Sequence, residues 1–103
     1  MLNNRTRKPT HPGALLAEIL PDSRVKNQAR LAELMGVSRR LVNEIINERR
    51  PVTTDVAFRL AAVFDTSADV WLRMQIAFDV WETAQQKRKA YVQIRERAAK
   101  IAA

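Results

Sequence analysis

Residues 28–47 read QARLAELMGVSRRLVNEIIN, and this stretch decides the fold because it encodes two short helices separated by a glycine. Asn27 is a favourable N-cap for the first helix, and Gly36 supplies the left-handed residue at which such a helix ends. Ser38 is the next capping residue, so the second helix is expected to begin directly after it. Two short helices joined by about three residues with a glycine at the turn form the helix-turn-helix arrangement.

The second of these helices has two faces of different chemistry. Its apolar residues recur at helical spacing and predict one buried stripe: Leu41, Val42, Ile45 and Ile46. The opposite side is polar and carries Arg39, Arg40, Asn43, Glu44 and Asn47. Arginine can pair with guanine O6 and N7, and asparagine with adenine N6 and N7. This face is therefore predicted to read bases in the major groove, although capped amphipathic helices also occur in small bundles that bind no DNA.

Four further residues are candidates for contacts with the DNA backbone. Ser38 can both cap its helix and donate to a phosphate, and Gln28 begins the first helix beside the groove. Arg49 and Arg50 follow the second helix and either clamp phosphates or are merely solvated. The predicted DNA-binding set is Gln28, Ser38, Arg39, Arg40, Asn43, Glu44, Asn47, Arg49 and Arg50.

Outside this stretch the sequence predicts three more helices. The first is capped by Thr10 or His11, has Pro12 in its first turn and ends at Pro21. A fourth helix follows the caps at 53–55, and a fifth follows Thr66 or Ser67. The predicted core residues of helices 1, 2, 4 and 5 are Leu15, Leu16, Ile19, Leu20, Leu31, Leu34, Met35, Val56, Ala57, Leu60, Ala61, Phe64, Trp71, Met74, Phe78 and Trp81.

The domain plan has three parts. Residues 1–9 are expected to form a flexible basic arm containing Arg5, Arg7 and Lys8. Residues 10–82 are expected to form the all-α helix-turn-helix domain, and residues 83–103 a basic helical tail with a narrow stripe formed by Tyr91, Ile94, Ala98 and Ile101.

Composition narrows the function classes. The 103 residues contain no cysteine and only one histidine, His11, so no metal site, cofactor or catalytic constellation is expected and the chain is interpreted as a non-enzyme. No run of about 20 apolar residues is present, and a soluble, cytoplasmic protein that does not bind membranes is expected. The formal net charge of +7 suits a polyanionic partner. It is distributed as +5 over residues 1–50, −3 over 51–82 and +5 over 83–103, which suggests two surfaces for two kinds of partner.

Four sequence features together resemble the HigA-type antitoxins within the larger Xre/Cro-repressor family. They cover residues 11–81 and are His11-Pro12-Gly13, the helix-turn-helix from Leu31-Ala32 to Asn47, Arg50-Pro51-Val52-Thr53, and Trp71-Leu72-Arg73-Met74-Gln75 with Asp79 and Trp81. The helix-turn-helix is typical of the wider repressor family, whereas the first and last features are more specific. The resemblance implies a five-helix fold like that of lambda repressor, here with a C-terminal helical extension.

The resemblance also implies partners. They are a second copy of the chain, palindromic operator DNA in the chain's own operon, and a HigB-type, RelE-like toxin that cleaves mRNA. Two features depart from the pattern: Ala14 with Pro21-Asp22 replaces a more acidic first helix and loop, and the basic tail is longer. Since such toxins are basic, the acidic middle is the better candidate for binding one, chiefly through Asp65, Asp69, Asp79 and Glu82. The alternative is that these acids cap helices 4 and 5 or pair locally with Arg59 and Arg73, and this local role is favoured for Asp69 in the first turn of the fifth helix. The alternatives are a stand-alone repressor of the same fold and a basic RNA-binding or chaperone-like helical protein.

Overall fold

The computed structural model describes residues 7–102 and is helical along most of that length. Its elements are α1 (Pro12–Ile19), α2 (Gln28–Met35), α3 (Arg39–Ile46), α4 (Thr54–Phe64) and α5 (Ala68–Ala102), with a 3₁₀ turn at Leu20–Asp22. Between residues 7 and 102 there is no β-strand, so the predicted all-α, five-helix fold is confirmed. Most of the expected N-terminal arm, including Arg5, lies outside the described residues.

The helices begin where side chains accept hydrogen bonds from the first turn. His11, rather than Thr10, caps α1, because its Nδ1 accepts from the Gly13 N–H at 2.9 Å. The predicted caps of the next three helices are also confirmed: Asn27 accepts from Arg30, Ser38 from Leu41 and Thr53 from Val56. Ser67, rather than Thr66, accepts from the first turn of α5.

The end predicted at Gly36 is confirmed, whereas α1 ends at Ile19 and the predicted stop, Pro21, lies inside the 3₁₀ turn that follows it. Gly36 terminates α2 with a left-handed backbone (φ 71°), and Asp65 terminates α4 in the same region (φ 54°). Glycine adopts this conformation without the steric cost of a Cβ. The turn between α2 and α3 is thereby fixed, and with it the angle at which α3 leaves the domain.

A single core lies between α1, α2, α3, α4 and the first third of α5. Its large side chains that are at most 2% exposed are Leu16, Leu31, Val42, Ile45, Leu60 and Trp71. Gly13 lies so close to α3 that a Cβ would overlap the carbonyl oxygen of Ile45. The start of α1 is therefore packed directly against the end of α3.

The prediction that Leu34 lies in the core is wrong. Leu34 is 52% exposed and lines an open groove beside Arg30. The buried side of α2 is formed by Leu31, Ala32 and Met35, and at about 100° per residue Leu34 lies roughly a quarter turn away from it. Because Ala32 is small, its side of α2 packs closely against the rest of the domain. The helix is therefore rotated from the orientation that the larger residues Leu31, Leu34 and Met35 alone predict.

The core positions predicted for α5 are only partly confirmed. Trp71 and Phe78 are buried, whereas Met74 and Trp81 are half-buried and the polar Gln75 is buried instead. The reason is a hydrogen bond between Gln75 and the chain before α4, which turns this side of the helix inward.

The C-terminal part of α5 projects from the domain. The helix runs through residue 83, where the basic tail is expected to begin, and only Lys87 departs from helical geometry (φ −119°, ψ 15°). The radius of gyration is 17.4 Å, with extents of 59 × 21 × 20 Å. A compact domain of this length would have a radius of roughly 13 Å. Among the described helices, none is long and apolar enough to cross a membrane.

Candidate DNA-binding surface

The polar face of α3 is exposed, as predicted. Arg39, Arg40, Asn43 and Asn47 are all exposed, while Val42 and Ile45 on the opposite side are 1% exposed. The flanking candidates Ser38, Arg49 and Arg50 are exposed at the two ends of the helix. The structure therefore brings side chains with base-reading chemistry together on one solvent-facing surface.

A row of three amides crosses this surface from α2 to the end of α3. Asn43 Nδ2 donates to Gln28 Oε1 at 3.2 Å, and Asn47 Nδ2 donates to Asn43 Oδ1 at 3.2 Å and to the Asn43 carbonyl at 2.9 Å. The Asn43 amide keeps one N–H and one oxygen lone pair, which are the groups that pairing with adenine uses. The row therefore orients Asn43 without exhausting its hydrogen-bonding capacity.

A charge cluster lies beside the amide row. Glu44 Oε1 accepts from Arg50 Nε at 3.0 Å and from Arg50 Nη2 at 2.7 Å, while Arg40 Nε lies 3.6 Å from Glu44 Oε2. The hydrogen bonds from Arg50 lower the pKa of the Glu44 carboxyl, because they stabilise its ionised form. Arg50 is therefore held by α3 in the free protein.

The remaining candidates are oriented to different degrees. Ser38 accepts a hydrogen bond from the Leu41 N–H at 3.1 Å, which leaves its hydroxyl hydrogen available to donate to an anion. Among the ion pairs within residues 7–102, neither Arg39 nor Arg49 has a partner. These two guanidinium groups are the ones on this surface that can reach a phosphate without breaking an ion pair.

Gln75 positions this surface, and helical periodicity did not predict its role. It is 5% exposed, its Oε1 accepts from the Val52 N–H at 2.8 Å, and its Nε2 donates to Asp79 Oδ1 at 2.9 Å. Gln75 thus fastens the segment after α3 to α5, two residues beyond Arg50. The sequence identified it only within the resembling motif, and a polar residue next to core positions of α5 is the only other signal.

His11 is a buried residue that stabilises the fold and is not part of the exposed α3 surface. It is 4% exposed, caps α1 and packs edge-on against Phe78 with 4.8 Å between ring centroids. Burial lowers the pKa of its imidazole. Its role at the entry to the first helix is thus the one that the sequence favoured.

Comparison with known proteins places the same stretch of chain in a family. A helix-turn-helix family model (HTH_3) matches residues 26–71. The chain is 50% identical over 82 residues to the uncharacterised HTH-type transcriptional regulator YbaQ of Escherichia coli K12, which covers 79% of this chain and 72% of YbaQ.

Two solved structures extend the comparison. The antitoxin GraA in complex with its operator superposes with a TM-score of 0.79 at 36% identity, covering 90% of this chain and 93% of GraA. The Pseudomonas aeruginosa antitoxin HigA with the higBA promoter superposes with a TM-score of 0.76 at 32% identity, covering 82% of this chain and 91% of HigA. The chain belongs to the HigA-type group of the Xre helix-turn-helix family.

Proposed function

We propose that this chain is a sequence-specific DNA-binding antitoxin that represses its own operon and neutralises a HigB/RelE-like mRNA-cleaving toxin. The observation that carries the DNA-binding part is the exposed α3 face, where Arg39, Arg40, Asn43 and Asn47 lie together over a helix whose other side is buried. GraA and the Pseudomonas HigA, which share this fold, are both antitoxins solved with their own operator or promoter DNA. Their likeness to this chain supports the same mode of action.

In this proposal the nine candidate residues divide into two groups by chemistry. The base-reading group lies in the major groove and comprises Arg39, Arg40, Asn43, Glu44 and Asn47. The phosphate-contacting group lies at the two edges of α3 and comprises Gln28, Ser38, Arg49 and Arg50. The first group provides sequence selectivity, and the second sets the position of α3 on the duplex.

The operator is proposed to be palindromic because the protein acts as a homodimer. One recognition helix covers only a half-site, and two-fold proteins gain affinity by binding two half-sites about one helical turn apart. The projecting part of α5 is the proposed seam, since it carries the stripe predicted from Tyr91 to Ile101, in which Ile94 and Ile101 are exposed.

The acidic middle is proposed to bind the toxin, because opposite charges attract and phosphates repel acids on this surface. Asp65, Asp69 and Glu82 are exposed. Asp79 also accepts the hydrogen bond from Gln75, so it contributes to the fold and is a poor position for a test. Glu82→Lys tests the surface without disturbing that bond, with Glu18→Lys on α1 as the control of equal charge change.

A stand-alone repressor remains the second candidate, and the 50% identity to YbaQ, a regulator, favours it. Co-expression with the neighbouring open reading frame separates the two functions. If the chain is an antitoxin, it restores growth that is inhibited by the protein encoded in the neighbouring open reading frame, and it co-purifies with that protein. Growth rescue is then lost with Glu82→Lys but not with Glu18→Lys. Operator binding without rescue assigns the repressor function, and failure to bind any duplex selectively would overturn both in favour of an RNA-binding or chaperone-like role.

A further inference from the structure

We infer that Glu44 is a specificity-determining residue, which restrains Arg40 and Arg50 on non-operator DNA and releases them at a C·G base pair. The inference rests on the proposed DNA binding and adds a role for the one carboxylate on α3. An acid at the centre of a surface that meets phosphates would be unfavourable unless it has a partner both in the free protein and on the operator.

The geometry of the cluster supports the restraint. The Glu44 side chain is 25% exposed, whereas those of Arg40 and Arg50 are 85% and 46% exposed. Arg50 reaches back six residues to donate two hydrogen bonds to the carboxylate. The chain beyond Arg50 is fastened by the bond from the Val52 N–H to Gln75, so Arg50 is held from both sides.

On non-operator DNA this arrangement lowers affinity. To turn the bonded N–H groups of Arg50 towards a phosphate, both hydrogen bonds to Glu44 must break, and the carboxylate then faces the negatively charged duplex. Each phosphate that is neutralised contributes roughly 0.9 to the slope of log K against log salt concentration. The restraint of Arg50, to which the exposed ion pair of Arg40 adds little, therefore reduces both non-specific affinity and its dependence on salt.

At a C·G pair the same cluster can exchange partners without leaving a charge unpaired, with Arg50 moving from Glu44 to a phosphate. Cytosine presents the N4 amino group as a donor for Glu44, and guanine presents O6 and N7 as acceptors for Arg40. An A·T pair presents an adenine N6 donor, but it lacks the paired O6 and N7 acceptors that a guanidinium uses. The cluster therefore selects C·G.

The test compares Glu44→Gln with Glu33→Gln, because Glu33 is exposed on α2 and forms none of the ion pairs within residues 7–102. Affinities for the operator and for a shuffled duplex are measured between about 50 and 200 mM salt. Glu44→Gln is expected to raise shuffled-duplex affinity about fivefold, steepen the salt slope by about 1 and reduce the operator-to-shuffled ratio about tenfold. Glu33→Gln is expected to change both affinities by the same small factor.

Two further measurements locate the effect. Replacing each C·G pair of the operator in turn by T·A should weaken the wild type most at one position per half-site. Glu44→Gln should lose less affinity at that position, because it keeps only the contact of Arg40 with guanine to lose. In the free protein, the Arg50 Nε–H signal in an NMR spectrum should be distinct in the wild type and in Glu33→Gln, and should merge with those of solvated arginines in Glu44→Gln.

The role of Glu44 would be overturned if the wild type prefers the operator but Glu44→Gln and Glu33→Gln change the duplex affinities equally, with unchanged melting temperatures. The proposed function would then remain intact. A wild type that does not distinguish the operator from the shuffled duplex would instead contradict the proposed function. Loss of operator and shuffled binding by the same factor in Glu44→Gln would show that Glu44 only supports the fold of the surface, and it would likewise overturn the inference.

Discussion

Asn43 is the residue on which the reading of bases depends most directly. Removing its amide in Asn43→Ala is expected to cost on the order of 1 to 3 kcal/mol of operator binding and to leave shuffled-duplex binding almost unchanged. Gln28→Ala removes the neighbouring acceptor but not the reading group, so its effect on operator binding should be smaller. Fluorescence anisotropy with both duplexes measures the two effects, and equal losses on both duplexes would assign Asn43 to the phosphate backbone.

His11 makes stability depend on pH. Burial lowers the pKa of its imidazole in the folded protein, and protonation of Nδ1 would break the hydrogen bond that caps α1. The unfolded chain, with an ordinary pKa of about 6.5, binds the proton more readily, so stability is complete above that pH and decreases as the pH falls below it. Charged groups around the ring modulate this effect: Glu48, Asp79 and Glu82 raise the pKa, and Lys8 lowers it.

The measurement is the melting temperature between about pH 7.5 and pH 5. Asparagine is a good N-cap that does not titrate, so His11→Asn should flatten the acid side of the profile even if its melting temperature at neutral pH is lower. Identical slopes in the wild type and in His11→Asn would assign the acid sensitivity to other groups.

At the scale of the helices, sequence patterns predicted where several helices begin and end, but they did not predict side-chain burial that depends on how the helices pack against each other. The caps Asn27 and Ser38 and the stop at Gly36 could be predicted because each satisfies backbone groups of its own helix. The exposure of Leu34 and the burial of Gln75 could not, because they depend on how closely α2 and α5 pack against their neighbours. For the same reason the Glu44–Arg50 pair was not predicted, although both residues were candidates.

The bond from the Val52 N–H to Gln75 is expected to hold α3 and α5 in register. Gln75→Leu conserves approximate size but leaves the Val52 N–H buried without an acceptor, which should destabilise the fold by about 1 to 3 kcal/mol. Asp79→Asn keeps an oxygen to accept from Gln75 and should cost much less. Urea unfolding measures both, and equal stabilities of the two variants would show that this bond does not contribute.

At the scale of the whole molecule, the projecting part of α5 is expected to pair with a second copy. Ile94→Lys places a charge on the exposed apolar stripe and should yield a monomer at micromolar concentration, because burying an unpaired ammonium is unfavourable. Gln93→Lys adds the same charge one residue away, off the stripe, and should leave the dimer intact. Sedimentation equilibrium separates the two results. A monomeric wild type would contradict the dimer.

The charge distribution of the molecule is consistent with the proposal that one surface binds DNA and another binds a toxin. The segment from residue 1 to 50 carries a net +5 and contains the α3 face, while residues 51–82 carry −3. Like charge keeps the acidic segment away from phosphates, and it leaves that segment available to a basic partner. Sequence alone predicted this division, but only the structure distinguishes Asp79, which is exposed and also accepts a hydrogen bond from Gln75, from the exposed Glu82.

Footprinting of the DNA upstream of the chain's own gene tests the central claim, that the α3 face reads an operator, most directly. A helix-turn-helix dimer should protect one inverted repeat whose half-sites are separated by about 10 base pairs, and it should do so at about 200 mM salt, where non-specific binding is weak. At the lowest concentration at which the wild type protects the site, protection should disappear with Asn43→Ala, which removes an exposed reading group without altering the buried side of α3. Uniform protection that fades with salt, or none at all, would contradict this account of the surface.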